Sequence, residues 1–265
     1  MAKVNAADWI HITNINTLAE IKHMPMGPRH VPVPHYDAIS SFKNQLKEHN
    51  IQILNESIVL SPDTYRLMYL ADIADKNANE YVYQVGFINN NYRSKAFTGL
   101  AGIKVKINGA QMHYSDNSYK TRHTTNVKEM LYERNAHIIK WFKEFYAEYS
   151  GKIEKFKNTK VTDEILGAVI LAYIRNHYTL SSTNIKNIVK EYDKPRYDEF
   201  KPRTLWSFQN TTNEVFKKVK SPLLRLEAME IFNEAVDKFI TNYGTNKWKI
   251  YFIVLSKDLE LLSLA

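Results

Sequence analysis

Alternating hydrophobic and polar positions predict a strand-rich first half of the chain. The clearest case is residues 103–107, where apolar side chains alternate with Lys104 and Lys106, the two-residue period of a half-buried strand. The Asn108-Gly109 pair that follows predicts a type I′ hairpin turn. Strands are predicted at residues 51–61, 64–73, 81–87, 103–107 and 111–114. Consecutive strands lie too close together for helical crossovers, so the sheet is predicted to be antiparallel.

The second half of the chain carries the helical period instead. Asn126 with Glu129 resembles a capping pair, and the apolar face that follows it covers about six turns and ends at residues 150–151. An earlier short helix is predicted to have Asp37 as its cap and to end at Asn50. Further helices are predicted at residues 162–174, in the first part of 182–202, at 204–219 and at 221–244, with a late strand at 249–255 that could rejoin the sheet.

These elements predict an α+β fold, with an antiparallel sheet in the N-terminal half and a helical C-terminal half. Residues 1–150 are predicted to form a strand-rich α+β domain. Residues 151–265 are predicted to form a mainly helical region, which could pack on the first as one domain. The predicted boundary lies in the polar run at residues 150–160.

Composition excludes several classes of protein. Of the 265 residues, 44% are hydrophobic, which is too many for a disordered chain. No apolar stretch approaches the ~20 residues of a membrane span, and the first residues lack the apolar core of a signal peptide. The chain has no cysteine, which excludes disulfides, thiolate catalysis and Cys-based metal sites. These features predict a soluble protein of a reducing cytoplasm, without a membrane partner.

Positive charge is concentrated in two zones of the chain. The formal net charge is +8 and the pI is about 9.3. Residues 82–127 hold six Lys or Arg residues and one carboxylate, Asp116, and residues 151–220 hold the second basic excess. Concentrated basic charge is the usual footprint of phosphate binding. The alternative is a solvated surface with excess lysine.

The first basic zone also carries aromatic residues that would suit single-stranded nucleic acid. Lys104 and Lys106 are predicted to lie on one face of their strand, and the neighbouring cations could converge on the same side of the sheet. Aromatic rings would stack on bases while the cations neutralise the backbone. The candidate phosphate contacts are Arg93, Lys95, Lys104, Lys106, Lys120, Arg122 and His123, and the candidate stacking residues are Tyr92, Tyr114 and Tyr119. In the alternative interpretation the lysines are the solvated side of an amphipathic strand and the rings belong to the core.

Signatures of metal binding and catalysis are weak. The nine histidines lack the spacing of zinc-binding helices, and His30 and His35 lie in a Pro-rich stretch without fixed geometry. The carboxylate groups that could bind Mg²⁺ for nuclease chemistry are Asp72 with Asp75, and Glu191 with Asp193 and Asp198. The sequence has no P-loop, GxGxxG or GxSxG motif. No catalytic residue, metal site or cofactor is therefore predicted, and a metal-dependent nuclease remains an alternative.

Three stretches of the chain resemble the DUF932 family, a group of phage and plasmid proteins of unknown function. They are residues 60–67, residues 86–127 with their Asn-rich loop and Arg-His-Thr triplet, and the helix start at residues 204–206. The family-motif positions are Asn90, Asn91, Asn108, Thr124, Trp206 and Asn210. The family commonly has Asn-Ser-His-Asp where this chain has its residues 90–93, and a Cys near residue 108, so any chemistry of those residues is missing here. The resemblance implies a mobile-element origin, such as a phage, and no established activity.

The sequence thus predicts a phage- or plasmid-encoded protein that binds nucleic acid, with a preference for single-stranded DNA or RNA, during replication or recombination. The alternative is a phage protein that binds a host protein through its basic zones, as a defence inhibitor or host-takeover factor. Either protein is expected in the host cell cytoplasm and could form homo-oligomers.

Overall fold

The computed structural model describes residues 9–75, 79–92, 96–115, 121–122, 126, 130–176 and 181–242. The chain forms two compact units. The first comprises residues 1–150 with 220–224, and the second comprises residues 151–219 with 225–265. An antiparallel sheet occupies the first half of the chain and helices dominate the second half, which confirms the predicted α+β fold. Within the described residues, no helix is both long and apolar enough to cross a membrane.

The sheet of the first unit is built from strands in sequential order. They are β1 (Ile10–His11), β2 (Ile53–Leu60), β3 (Arg66–Ile73), β4 (Tyr81–Asn90), β5 (Ala96–Val105), β6 (Gln111–Ser115) and β7 (Thr121–Arg122). The order is β1-β2-β3-β4-β5-β6, with antiparallel neighbours, and β7 pairs with the beginning of β5. Arg66 pairs with Asn90, so the turn between β2 and β3 lies beside the end of β4.

The helices of the described chain are distributed over both units. They are α1 (His35–Glu48), α2 (Met130–Asn158), α3 (Asp163–Asn176), α4 (Ser182–Asp193), α5 (Leu205–Phe216) and α6 (Pro222–Asn242), with 3₁₀ helices at Ile15–Glu20 and Asp198–Phe200. Ser181 and Thr204 cap α4 and α5, since each hydroxyl accepts a hydrogen bond from a backbone N–H three residues later.

One face of the sheet packs against α1 and the first part of α2. Phe42 of α1 contacts the rings of Tyr69 and Phe87, which themselves stack with a centroid distance of 5.5 Å. Tyr83 meets Tyr146 of α2 at 4.5 Å. Burial of such large rings supplies much of the stabilisation of a domain of this size. This core fixes the positions of the strands, and polar side chains lie at the strand ends.

Aromatic residues also form the core of the second unit. The ring of Phe232 in α6 contacts Tyr173 of α3 and both Phe208 and Phe216 of α5. All twelve residues of α5 are buried, including Asn210 and several other polar side chains. A helix that is buried on every side belongs to the interior of a unit rather than to its surface.

Two predicted helix boundaries are wrong. The first helix begins at His35, so Asp37 lies inside its first turn instead of capping it. The helix that was expected to end at residues 150–151 continues to Asn158. It continues because the apolar period does so: Ile153 and Phe156 are buried beyond Gly151. The predicted end at residue 244 and the strand at 249–255 lie outside the described residues.

The strand predicted at 103–107 has different ends, and its turn is of another type. β5 begins at Ala96 and contains Gly99, where a Cβ would come within 2.7 Å of the Ile138 side chain. Small residues have low strand propensity, so the sequence pattern did not predict the first part of β5, although its packing requires small residues. Only Gly109 of the predicted type I′ pair is left-handed, with φ 65°, and its N–H donates to the carbonyl of Val105. A type I′ turn needs two such residues.

Candidate nucleic-acid interface

The turn between β2 and β3 is organised by the carboxylate of Asp63. Its Oδ1 atom accepts hydrogen bonds from Ser61 Oγ at 2.5 Å and from the backbone N–H of Tyr65 at 3.0 Å. Ser61 Oγ in turn accepts from the backbone N–H of Arg66 at 2.9 Å. Thr64 has φ 64°, a left-handed conformation that β-branched residues rarely adopt. These hydrogen bonds hold the strained turn and fix the directions of Tyr65 and Arg66.

Four half-buried side chains beside this turn form a surface that we call the aromatic–arginine surface: Trp9, Tyr65, Arg66 and Tyr92. The rings of Tyr65 and Tyr92 stack with a centroid distance of 5.2 Å and an interplanar angle of 27°. The guanidinium carbon of Arg66 lies 5.7 Å from the ring centre of Tyr92 and 5.6 Å from that of Trp9. Aromatic faces next to a guanidinium are the groups on which unpaired bases stack.

The Tyr92 hydroxyl ties the end of β4 to the turn. It donates a hydrogen bond to Asp63 Oδ2 at 2.7 Å, and Arg66 lies 3.5 Å from the same oxygen. Partial burial tends to raise the pKa of Asp63, but its hydrogen bonds and the charge of Arg66 outweigh this and lower the pKa. The same hydrogen bond raises the pKa of Tyr92. Asp63 is therefore ionised at neutral pH and serves the turn itself, rather than facing a ligand as a free anion.

Two histidines support the turn from the side of α1. His23 and His35 place their Nε2 atoms 2.7 and 2.8 Å from the carbonyl oxygen of Thr64. A carbonyl only accepts hydrogen bonds, so both Nε2 atoms must carry a hydrogen. Both Nδ1 atoms are then acceptors. They face amide nitrogens, Asn89 Nδ2 at 2.8 Å from His35 and Asn91 Nδ2 at 3.2 Å from His23. We call these five residues the histidine–asparagine network.

The backbone of Val33 fixes the orientation of both asparagine amides. Its carbonyl accepts from Asn89 Nδ2 at 2.9 Å and from Asn91 Nδ2 at 3.0 Å, and its N–H donates to Asn91 Oδ1 at 2.9 Å. Turning either amide over would face oxygen to oxygen, and for His35 the amide of Asn89 therefore favours the neutral Nε2–H tautomer. Burial, reinforced by the neighbouring His23, lowers the pKa of His35 to about 4.

Several predicted phosphate contacts follow this surface in the chain. Arg93 comes directly after Tyr92 in the sequence. The backbone of Arg122 pairs with Ala96 at the beginning of β5. The side chain of Arg122 lies outside the described residues. So do six complete residues: Arg93, Lys95, Tyr119, Lys120, His123 and Thr124.

Lys104 and Lys106 lie at the other end of β5. From residue 96 to residue 104, at ~3.3 Å per residue, the strand spans roughly 26 Å. β5 ends at Val105, so Lys106 lies beyond the strand and does not share a strand face with Lys104. Contrary to the prediction, the structure does not bring these two lysines together with the backbone of Arg122. The length of β5 decides this, because the two ends of an extended strand lie far apart at opposite ends of the sheet.

Lys104 belongs to a buried row of hydrogen bonds across the sheet. Its Nζ donates to Asp72 Oδ2 at 3.0 Å, and Asp72 Oδ1 accepts from Gln84 Nε2 at 2.5 Å. Gln84 Oε1 lies 2.8 Å from His113 Nε2, which must therefore be the donor. Burial lowers the pKa of His113 to about 4 despite the nearby charge of Asp72. Lys104 thus neutralises a buried carboxylate, and this role competes with phosphate binding.

Other predicted positions have structural partners. The ring of Tyr114 packs 5.8 Å from those of Phe145 and Tyr149 in α2, so its faces serve the core and the proposed stacking role is not supported. Asn90 Oδ1 accepts from the backbone N–H two residues later at 3.0 Å. Asn108 Oδ1 does the same at 2.9 Å and thereby closes the turn after β5.

The motif residues of α5 are interior. Trp206 is 5% exposed and Asn210 is fully buried. Asn210 Nδ2 donates to the backbone carbonyl of Trp206 at 2.9 Å. This contact between residues four apart stays within one helix, so both motif side chains belong to the interior packing of α5.

Four of the five carboxylates considered for Mg²⁺ contact basic groups. Asp72 contacts Lys104, and Glu191 contacts Arg196 at 2.9 Å. Asp193 pairs with an arginine at 3.6 Å and Asp198 with a lysine at 2.7 Å. Over the part of the chain that the structure describes, no three His, Asp or Glu side chains are grouped as a metal site would require.

Sequence reasoning missed most of the surface that the structure assembles. Trp9 and His23 carried no signal, since their partners lie far along the chain. Tyr65 and Arg66 lie in residues 60–67, which drew attention through a family resemblance and not through their chemistry. No protein-family model, curated protein or solved structure matches this chain. The similarity to the DUF932 family therefore stays a prediction from the sequence.

Proposed function

We propose that this protein binds single-stranded nucleic acid at the aromatic–arginine surface. The observation that carries the proposal is the stacked, half-buried pair of Tyr65 and Tyr92 with Arg66 beside it. Bases would stack on the exposed ring faces, and the guanidinium would add stacking and hydrogen bonds. Arg93 and Lys95, which follow Tyr92 in the chain, would neutralise the backbone phosphates.

Single strands fit this surface better than duplexes do. In a duplex the base faces are already stacked and only edges and phosphates are accessible. On a surface formed mainly by aromatic rings, the binding free energy comes mostly from stacking, and only unpaired bases can stack on the rings. As a protein of a mobile element, which the family resemblance implies, the chain would use such binding in replication or recombination.

The first test is fluorescence anisotropy with labelled single-stranded DNA, duplex DNA and RNA at ~50 and ~200 mM salt. The slope of log affinity against log salt is about −0.7 for each phosphate contact on single strands. Binding through four cations, Arg66 with Arg93, Lys95 and Arg122, would give a slope of about −3. Binding that also uses Lys104, Lys106 and Lys120 would give a slope of about −5. We expect single-strand preference and the smaller slope.

Matched substitutions locate the site. Tyr92→Leu removes one stacking face, which is worth ~1–3 kcal/mol per base, so affinity should fall about 5- to 150-fold. Tyr132→Leu is the control, because Tyr132 is 57% exposed and lies away from the turn. Its hydroxyl donates a hydrogen bond to Glu48 at the end of α1, about 20 Å from the start of that helix. Lys106→Ala is the control for charge. Equal losses in all three variants, or none in Tyr92→Leu, would place the site elsewhere.

Binding that does not depend on salt would refute the proposal outright. A pull-down from nuclease-treated host lysate distinguishes the alternative function. Retention of one protein partner by wild-type protein, with no oligonucleotide binding, would favour a host-protein ligand for the same basic zones.

A further inference from the structure

The histidine–asparagine network joins three segments that are far apart in sequence. It connects the segment from His23 to His35, the turn at Thr64, and the end of β4, and both imidazole donors point to the carbonyl of Thr64. Thr64 is the strained residue that immediately precedes Tyr65 and Arg66. Whatever holds Thr64 in its left-handed conformation therefore also determines where the aromatic–arginine surface points.

Protonation is incompatible with this network. An imidazolium carries hydrogen on both ring nitrogens, so a protonated His35 would direct Nδ1–H at the N–H of Asn89. That amide cannot turn to present its oxygen without losing its hydrogen bond to Val33. The proton therefore replaces a hydrogen bond by two opposed donors.

The other titratable groups near the pair do not relieve this conflict. The ring of Tyr65 packs against His23 with a centroid distance of 5.0 Å, and His23 and His35 lie 4.7 Å apart, so two positive charges would repel. Asp63 is held by its own turn and by Tyr92. His30, in the segment between the two histidines, is buried and its Nδ1 accepts from a backbone N–H at 3.1 Å.

We propose that His23 and His35 are positioning residues for the aromatic–arginine surface, and that protonation of His35 releases the turn that carries Tyr65 and Arg66. The effect on ligand affinity rests on the proposed function. The release of the turn does not, because it concerns only the network and the strained residue.

The expected size of the effect follows from His35. With a pKa of about 4 in the network against 6.5 when released, the equilibrium for opening should shift about 30-fold between about pH 7.5 and pH 5. The shift favours the open form on acidification, since only the open form binds the proton.

Hydrogen exchange measures this opening directly. After correction for intrinsic exchange, protection of the amides of Val33 and Asn91 should fall about 30-fold over that pH range. Both amides are bonded within or beside the network, Val33 N–H to Asn91 Oδ1 and Asn91 N–H to the carbonyl of Tyr65. His35→Gln keeps a neutral N–H donor and cannot titrate, so its protection should stay constant. His113→Gln, at a buried histidine outside the network, should behave as wild type.

Nitrogen NMR of the wild-type histidines gives a second readout if a variant fails to fold. His35 should be neutral with hydrogen on Nε2 at about pH 6; a charged ring, or hydrogen on Nδ1, overturns the proposal. Constant protection from about pH 7.5 to pH 5 in wild type also overturns it. Oligonucleotide affinity is measured in parallel. Loss of protection without any oligonucleotide binding would support the release of the turn and refute the proposed function alone.

Discussion

A single methyl group at Gly102 should destabilise the sheet more than most surface changes of any size. A Cβ on Gly102 would lie 2.1 Å from the carbonyl oxygen of Met112 and 2.5 Å from Cδ2 of His113, whereas real Cβ atoms essentially never approach within 3.0 Å. The nearer atom is backbone and cannot rotate away. Gly102→Ala therefore forces β6 to move from β5, and it pushes His113 from Gln84.

The magnitude follows from two contributions. Overpacking in a well-packed interior costs about 1–3 kcal/mol. Breaking the bond between His113 and Gln84 leaves a buried polar group without its partner, which costs a further ~1–3 kcal/mol. Replacing glycine by alanine gains back ~0.5–1 kcal/mol of backbone entropy. We expect a net loss of about 3 kcal/mol in the free energy of unfolding.

Urea unfolding followed by circular dichroism measures this loss, with Gly167→Ala as the control. Gly167 is exposed in α3 and an added Cβ there meets no atom within 4 Å, so alanine should stabilise by up to ~1 kcal/mol. A Gly102→Ala protein within ~0.5 kcal/mol of wild type would refute the close approach of β5 and β6 at this point.

Three further predictions follow from the buried hydrogen bonds. Acid should destabilise the protein as the pH falls from about 6.5 to about 4: His35 and His113 stay neutral when folded but bind protons when unfolded, and each shift corresponds to about 3 kcal/mol, measured by urea unfolding across that range. Asn91→Ala should cost ~1–3 kcal/mol in thermal or urea unfolding, because the buried N–H of Val33 loses its acceptor; an unchanged midpoint would contradict this. Tyr92→Phe should raise the pKa of the Asp63 carboxyl, because the hydrogen bond from the Tyr92 hydroxyl is lost; carbon NMR measures this pKa. A pKa equal to that of wild type would show that the hydroxyl does not lower it.

The sheet could be predicted because its signal is local. The period of two, the turn residues and short spacings are all readable within about ten residues, and they place β2, β3 and β4 close to their observed positions. The beginning of β5 could not be predicted in this way. Its small residues are explained by Ile138 and His113, which belong to other elements, so the reason for the sequence at Gly99 and Gly102 appears only in the packed structure.

The candidate site was harder to predict, because the distribution of charged residues along the sequence does not show which residues become neighbours across the strands. Lys104 in the sequence is a basic residue in a basic zone. In the sheet it lies diagonally from Asp72, two strands away, and forms an ion pair with that carboxylate. Conversely, Arg66 sits in a stretch with no excess charge, yet it lies between two aromatic rings at a strand end. Cross-strand neighbours decide which cations are available to a ligand, and a count along the chain cannot contain that information.

His35 and His113 show how a neutral amide partner leaves burial to set the direction of the acid response. His35 accepts from Asn89 and His113 donates to Gln84, so each ring meets a neutral group and burial lowers its pKa. A carboxylate in either position would favour the imidazolium and raise the pKa, because an opposite charge within hydrogen-bond distance outweighs much of the cost of burial. Stability would then be lost as the pH rises rather than as it falls. The carboxylate in this row, Asp72, contacts Gln84 and Lys104 rather than the ring. Burial therefore keeps both rings neutral, and their neutral partners do not oppose it.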